Sequence, residues 1–90
     1  MSNVLAGIGR GQLEVLNERV AARRKNFEMY RQYFSKYNSS GFEIQFQEEP
    51  SGFFSNRWLT CIVIDPVKNN GLSREVIRLA MDTENIETRP

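Results

Sequence analysis

The sequence predicts an α+β fold, with a long helix at residues 1–37 followed by a small β-β-α-β unit at residues 38–90. Apolar side chains recur at alternating steps of three and four through the first 37 residues, as on one face of an amphipathic helix. Beyond residue 41, apolar runs of strand length flank one more helical segment. A length of 90 residues with 40% hydrophobic content fits one small domain.

The predicted first helix is longer than the domain can cover. Ser2 is its expected N-cap, and the Asn-Ser-Ser-Gly run at residues 38–41 is its expected stop. Such a helix spans roughly 50 Å, whereas a compact chain of this length has a radius of gyration near ~12 Å. We therefore expect its apolar face, which we call the seam, to be covered by a second copy of the chain or by another protein. The seam consists of Ala6, Gly9, Leu13, Leu16, Val20, Arg23, Phe27, Tyr30, Phe34 and Tyr37.

Two strands and a second helix are predicted next. Residues 42–47 alternate apolar and polar, which is typical of a strand with one buried face. Residues 58–64 are almost continuously apolar, which predicts a central strand with Cys61 in the core. Residues 86–90 alternate again and predict a last short strand. The second helix is expected from an N-cap at Ser73 to about Glu84, with Val76, Ile77, Leu79 and Ala80 toward the sheet.

Charge and cysteine content exclude several classes of partner. The net charge is +1, and the basic run at residues 23–25 is interpreted as a solvated helix face, so we expect no nucleic-acid partner. No apolar run is long enough to cross a membrane and no signal peptide is evident. A single cysteine, Cys61, excludes an internal disulfide. Together these features predict a cytoplasmic chain with no membrane partner.

Catalytic chemistry is not evident from the residues alone. The sequence contains no histidine and one cysteine, so neither a zinc site nor a Cys–His nucleophile is predicted. Lys25, Lys36 and Lys68 are expected on a helix face, near a helix end and in a loop. None of these settings depresses a lysine pKa for Schiff-base formation.

Three ordered blocks of sequence do point to a family. They lie at residues 1–24, 55–60 and 84–90, and read MSNVLAGIGRGQLEVL-N-ERVAARR, SNRWLT and ENIETRP. In this order they closely resemble the DegT/DnrJ/StrS family of sugar aminotransferases. The resemblance extends over essentially the whole chain, and three blocks are far more specific than one motif.

The resemblance implies a homodimeric enzyme that depends on pyridoxal 5′-phosphate. It would transfer an amino group, usually from glutamate, to a keto-sugar nucleotide for surface-glycan or amino-sugar synthesis. The implied fold is that of aspartate aminotransferase, with a large cofactor-binding domain and a small C-terminal α+β domain. Residues 1–37 would then be the interdomain helix through which the homodimer forms, and residues 38–90 the small domain.

The family's cofactor-binding features fall outside these 90 residues. Its Schiff-base lysine lies far upstream, an Asn-Tyr-Arg triplet that reaches the cofactor phosphate directly precedes the first block, and a sugar-site segment with a Pro and a His follows the last. We therefore expect a fragment truncated at both ends, with no catalytic residue, no bound cofactor and no activity of its own.

Three residues are candidates for substrate binding. Arg89 lies beside the expected sugar-site stretch, where a guanidinium suits nucleotide-sugar phosphates, although a terminal surface arginine is the alternative. Asn56 and Arg57 are placed ahead of the predicted central strand, where ordering of the loop is the alternative role.

Two functions from different classes remain open at this stage. One is a fragment of a sugar-nucleotide aminotransferase, and the other is a free-standing helical dimerisation or adaptor module without catalysis. The flanking coding sequence distinguishes them, because only the enzyme requires a lysine-bearing domain upstream and a histidine-containing segment downstream.

Overall fold

The computed structural model describes residues 2–90 and contains three helices and two strands within them. The helices are α1 (Asn3–Glu14), α2 (Leu16–Asn38) and α3 (Arg74–Thr83), and the strands are β1 (Ile44–Phe46) and β2 (Ile62–Ile64). This order confirms an α+β chain. The chain is extended, with a radius of gyration of 17.2 Å and principal dimensions of 54 × 34 × 18 Å.

The predicted single long helix is wrong in one respect, because it is broken at Val15. Val15 has φ −109° and ψ 8°, outside helical geometry, and separates α1 from α2. The N-cap prediction is confirmed, since the Ser2 hydroxyl accepts a hydrogen bond from the Leu5 backbone N–H at 3.2 Å. No residue of α1 is buried. Without tertiary packing on α1, nothing opposes a local departure from the helix at the junction.

The core forms where the second half of α2 crosses the sheet. Phe27 is 5% exposed and Ile44 6% exposed. The Phe27 ring meets the Phe46 ring edge-on, with centroids 5.6 Å apart, and the Phe34 ring centroid lies 6.0 Å from that of Phe46. Phe27 and Phe34 of the seam therefore pack inside the chain against β1, whereas Tyr30 and Tyr37 remain 50% and 41% exposed.

The sheet is a short antiparallel pair. Ile44 is opposite Ile64, and Phe46 is opposite Ile62. Asn38, the last residue of α2, joins the helix end to the sheet because its amide pairs with both the N–H and the C=O of Ile44. These hydrogen bonds of Asn38, with the ring contacts to Phe46, hold β1 against α2.

The predicted central strand is shorter and less buried than expected. β2 begins only at Ile62, Trp58 and Leu59 are 67% and 59% exposed, and Cys61 is exposed. Arg57 has φ 51°, a left-handed conformation that turns the chain immediately before Trp58. An apolar run carries no signal of that turn, so the prediction that residues 58–61 lie in the core is wrong.

The second helix is confirmed in extent but not in packing. Ser73 caps α3 by accepting from the Val76 N–H, and Glu84 closes it. Val76 and Leu79 are each 50% exposed, Ala80 is exposed, and only Ile77 of the four predicted contact residues is half-buried. A sheet of two three-residue strands is too small to be covered by both α2 and α3.

The predicted last strand does not form. Asn85 is left-handed at φ 59°, and the N–H groups of Asn85 and Ile86 donate to the carbonyls of Asp82 and Met81. This is the hydrogen-bonding pattern of a helix C-terminus, so the start of the segment completes α3 instead of pairing with a strand.

Candidate functional site: the arginine–glutamate anchor

The loop between the two strands, residues 47–61, holds two of the predicted site residues and is fastened to α2 by side chains. Glu49 and Arg24 form an ion pair with 2.7 Å between Oε2 and NH1. The same carboxylate oxygen accepts the Ser55 backbone N–H at 2.6 Å, and Arg24 also donates to the Ser55 carbonyl. We call these three residues the anchor, since together they close the loop against the helix.

Electrostatics strengthen the anchor. The hydrogen bond from Arg24, followed by that from the Ser55 N–H, lowers the pKa of the Glu49 carboxyl to about 2. The same pair raises the pKa of the Arg24 guanidinium. Both side chains retain some contact with water, at 34% exposure for Arg24 and 23% for Glu49. Solvent screening therefore limits the strength of the pair, while its geometry still fixes the loop.

Arg57 points inward, as a positioning residue would. Its guanidinium lies over the Phe27 ring, 3.8 Å from the ring centroid, and donates to the Gln47 carbonyl at 2.8 Å. Its backbone N–H donates to the Ser55 hydroxyl at 3.1 Å. These contacts occupy the cation in a stacking interaction with the core and in the closure of the loop.

Asn56 and α2 together hold the end of the loop. The Asn56 side-chain oxygen accepts the Trp58 N–H at 3.1 Å, which forms an Asx-type turn. Arg23 donates to the Trp58 carbonyl at 2.7 Å. The observed contacts of Asn56 and Arg57 are therefore those of loop ordering, and their predicted role in substrate binding stays a prediction.

Arg89, the third candidate, lies apart from the anchor. It is 84% exposed and forms an ion pair with Glu87, 2.9 Å away. None of its hydrogen bonds within residues 2–90 reaches the anchor. The neighbouring segment lines a shallow depression at the end of α3, where the Thr88 hydroxyl is buried without a hydrogen-bond partner. The structure thus does not bring the three predicted residues together.

The described residues do not fit a pyridoxal phosphate site by themselves. Lys25, Lys36 and Lys68 are all exposed, and Lys68 pairs with Glu43 at 3.6 Å. A Schiff-base lysine requires a desolvated or electrostatically tuned setting, which none of the three has. Over residues 2–90 there is also no group of three or more metal-ligating side chains. No helix in this part of the chain has the length and hydropathy to span a membrane.

Two features of the structure are not predicted from sequence, one in the anchor and one beside the sheet. Arg24 is predicted only as part of a solvated helix face, and no role is predicted for Glu49, although each is the other's partner across 25 residues of sequence. Asn69 is the only fully buried polar side chain described, and it binds the N–H and C=O of Glu43 and the C=O of Asp65. Neither Glu49 nor Asn69 lies in a periodic pattern, so the sequence carries no signal that names the partner of either side chain.

Comparison with known proteins identifies the class. The model of the DegT/DnrJ/EryC1/StrS aminotransferase family matches residues 1–90, so the chain belongs to this family. The family consists of aminotransferases, and one of the two relatives below is named as dependent on pyridoxal phosphate. The first and last sequence blocks lie on α1 and α2 and after α3, and the middle block is the loop segment held by the anchor.

Two relatives are similar over the whole chain. One is EpsN of Bacillus subtilis (strain 168), named as a pyridoxal phosphate-dependent aminotransferase, at 42% identity over 90 residues. The other is GDP-perosamine synthase of Vibrio cholerae, at 31% identity over 90 residues. The chain is covered completely in both cases but spans only 21% and 23% of the relatives' own length. No solved structure matches the chain.

Proposed function

We propose that this chain is part of a sugar-nucleotide aminotransferase, in which an amino group passes from glutamate to a keto-sugar nucleotide in surface-glycan or amino-sugar synthesis. The observation that carries the proposal is the family match over all 90 residues. It is supported by a relative named for making an amino sugar as a GDP conjugate. The adaptor alternative is not favoured, because a family of enzymes accounts for the whole sequence.

Within such an enzyme the chain would serve as the small domain and its connecting helix. Coverage of about a fifth of the relatives' length supports a part rather than a whole. The aspartate-aminotransferase-like architecture of the parent is a proposal on the same grounds. We further propose that the parent is a cytoplasmic homodimer. The predicted pairing through the seam remains open for Leu13 and Leu16, at 68% and 48% exposure, since Phe27 and Phe34 already pack within the chain.

The chain's own contribution to the reaction is positioning. The anchor fixes residues 55–57 against α2 without using any of the three lysines, so no chemical step is assigned to these residues. When bound in the parent enzyme, pyridoxal phosphate supplies the amino-carrying chemistry. Of the three predicted substrate-binding residues, Arg89 alone exposes its guanidinium, held only by a neighbouring carboxylate, which suits it to a phosphate.

The proposal is tested on the gene together with its flanking sequence. The purified protein that this longer gene encodes should convert a keto-sugar nucleotide to the amino-sugar nucleotide with glutamate as the amino donor, as followed by mass spectrometry. The 90-residue chain should not. Treatment of the 90-residue chain with pyridoxal phosphate and borohydride should give no stoichiometric adduct at a single lysine. A parent protein that binds the cofactor but transfers no amino group to any keto-sugar nucleotide would refute the proposed substrate class.

The role of Arg89 needs a separate measurement in the active parent. Arg89→Ala should raise KM for the nucleotide sugar with little change in kcat, because binding of a phosphate is lost while the chemistry is not. Arg89→Lys should recover part of the affinity as a single-point charge. Glu87→Gln is the matched control, since it frees Arg89 from its ion pair. An unchanged KM in Arg89→Ala would remove this residue from the substrate site.

A further inference from the structure

The turn that joins β2 to α3 contains two adjacent asparagines in opposite environments. Asn69 is 0% exposed, and its side chain binds the N–H and C=O of Glu43 and the C=O of Asp65. Asn70 is exposed, and its side-chain amide makes no hydrogen bond within the described part of the chain. One amide is therefore fixed inside the protein, whereas the other is free to rotate in water.

Asn70 is also the only asparagine that is followed by glycine. Asn70 has φ 55° and Gly71 has φ 86°, so both lie in the left-handed region. A Cβ added to Gly71 would meet nothing within 4 Å, so no distant atom crowds this position. Because glycine has no side chain, its backbone nitrogen can approach the carbonyl carbon of the preceding side chain closely. An asparagine before glycine is consequently the one whose amide the backbone attacks most readily.

We propose that Asn70 is a site of spontaneous deamidation and that the buried Asn69 sets the rate of this reaction. The Gly71 backbone nitrogen, after it loses its proton to hydroxide, attacks Cγ of Asn70. A bond forms between this nitrogen and Cγ, the bond between Cγ and Nδ2 breaks, and Nδ2 leaves as ammonia after it takes a proton from water. Water then opens the cyclic imide at either carbonyl carbon, which gives aspartate or isoaspartate. Hydroxide and water are the only other reactants.

The closed turn slows this reaction. The Gly71 N–H donates to the Pro66 carbonyl at 2.8 Å, so the attacking nitrogen is engaged in a hydrogen bond. Asn69 stabilises the same turn, because its backbone N–H also donates to the Pro66 carbonyl and its side chain ties the turn to the residues that flank the two strands. The turn must open locally before Gly71 can attack, and the hydrogen bonds of the buried amide oppose that opening.

The two products change the turn in different ways. Either product adds a carboxylate to a surface that already carries the Lys68–Glu43 ion pair, and the net charge of +1 falls by one. Isoaspartate also adds a methylene group to the main chain, three residues before Ser73, which caps α3. Deamidation is therefore expected to alter both the charge and the backbone of this turn. This inference does not rest on the proposed reaction.

Incubation of the folded 90-residue chain at alkaline pH, followed by peptide mapping with mass spectrometry, tests the proposal. Asn70 should be converted to aspartate and isoaspartate faster than any other asparagine, at a rate that rises in proportion to the hydroxide concentration. Asn69→Ala should raise this rate by about tenfold, because the turn opens more often without the buried amide. Asn26→Ala, at an exposed position on α2, is the matched control and should leave the rate unchanged. Circular dichroism of each variant establishes that it is folded.

Hydrogen exchange of the Gly71 amide provides a second readout that needs no substitution. Exchange of this amide reports the opening of its hydrogen bond to Pro66. The exchange rate and the deamidation rate should therefore depend in the same way on low concentrations of urea. The proposal is overturned if Asn70 keeps its amide while the Gly71 amide exchanges freely, or if another asparagine reacts first. A folded Asn69→Ala variant that deamidates at the unsubstituted rate would also overturn it.

Discussion

The two helices on either side of Val15 share one predicted apolar seam but differ in how much of it is buried. α1 buries no residue, whereas α2 places Phe27 at 5% exposure against β1 and Arg57. Their sequences do not differ in the presence of an apolar face; they differ in whether the rest of the chain supplies a surface for it. Helical periodicity predicts which side chains share a face, and only tertiary contact decides whether that face is buried.

The largest test of this contrast is Phe27→Ala. Removing a buried aromatic ring should lower the free energy of unfolding by about 3–5 kcal/mol, which is a large fraction of the stability of so small a domain. Leu13→Ala on α1 should change it by less than about 0.5 kcal/mol, because Leu13 is 68% exposed. Urea titrations followed by circular dichroism at several concentrations measure both. Equal losses that do not depend on concentration would place α1 in the chain's own core.

A second test concerns the only fully buried polar side chain described. Asn69→Ala would leave the N–H and C=O of Glu43 and the C=O of Asp65 without their partner. We expect a loss of about 1–3 kcal/mol, since buried polar groups left unpaired are costly. Asn26→Ala, on the exposed surface of α2, is the control and should be neutral. Urea midpoints compare the two. A neutral Asn69→Ala would mean that water replaces the amide.

The anchor gives the core a pH dependence that α1 does not share. The pKa of Glu49 is about 2 in the folded chain, below its ordinary value of 4.5. A lowered carboxyl pKa stabilises the folded state above pH ~4.5, and this stability is lost as the pH falls toward ~2. Glu49→Gln should flatten the decline in urea midpoint across this window. Glu28→Gln, on the exposed face of α2, should leave it unchanged.

Features that depend on residues close in sequence could be predicted, whereas contacts between residues far apart in sequence could not. The caps at Ser2 and Ser73 and the seam through Phe27 and Phe34 depend on near neighbours, and the structure has them as predicted. The Arg24–Glu49 pair joins residues 25 positions apart with no periodic pattern, so it could not be found. The apolar run at residues 58–64 misled the prediction because the left-handed Arg57 has no signature of its own.

The smallest expected effect is at the start of α1. Ser2→Ala removes the cap and should cost about 1 kcal/mol of local helix stability. Because α1 does not pack against the core, hydrogen exchange of the first-turn amides should become faster while the urea midpoint of global unfolding is unchanged. Ser73→Ala at the cap of α3 is the parallel variant. A drop in the global midpoint for Ser2→Ala would show that α1 folds cooperatively with the core.

The glycines of α1 make this helix less stable than it could be. A methyl group added at Gly7, Gly9 or Gly11 would meet nothing within 4 Å. Alanine in a helix interior is better than glycine by about 1 kcal/mol at each position. The first helix can therefore be stabilised by substitution without any repacking of the core. In the triple alanine variant, thermal melts followed by circular dichroism should show a stronger helical signal and an unchanged midpoint of the core transition.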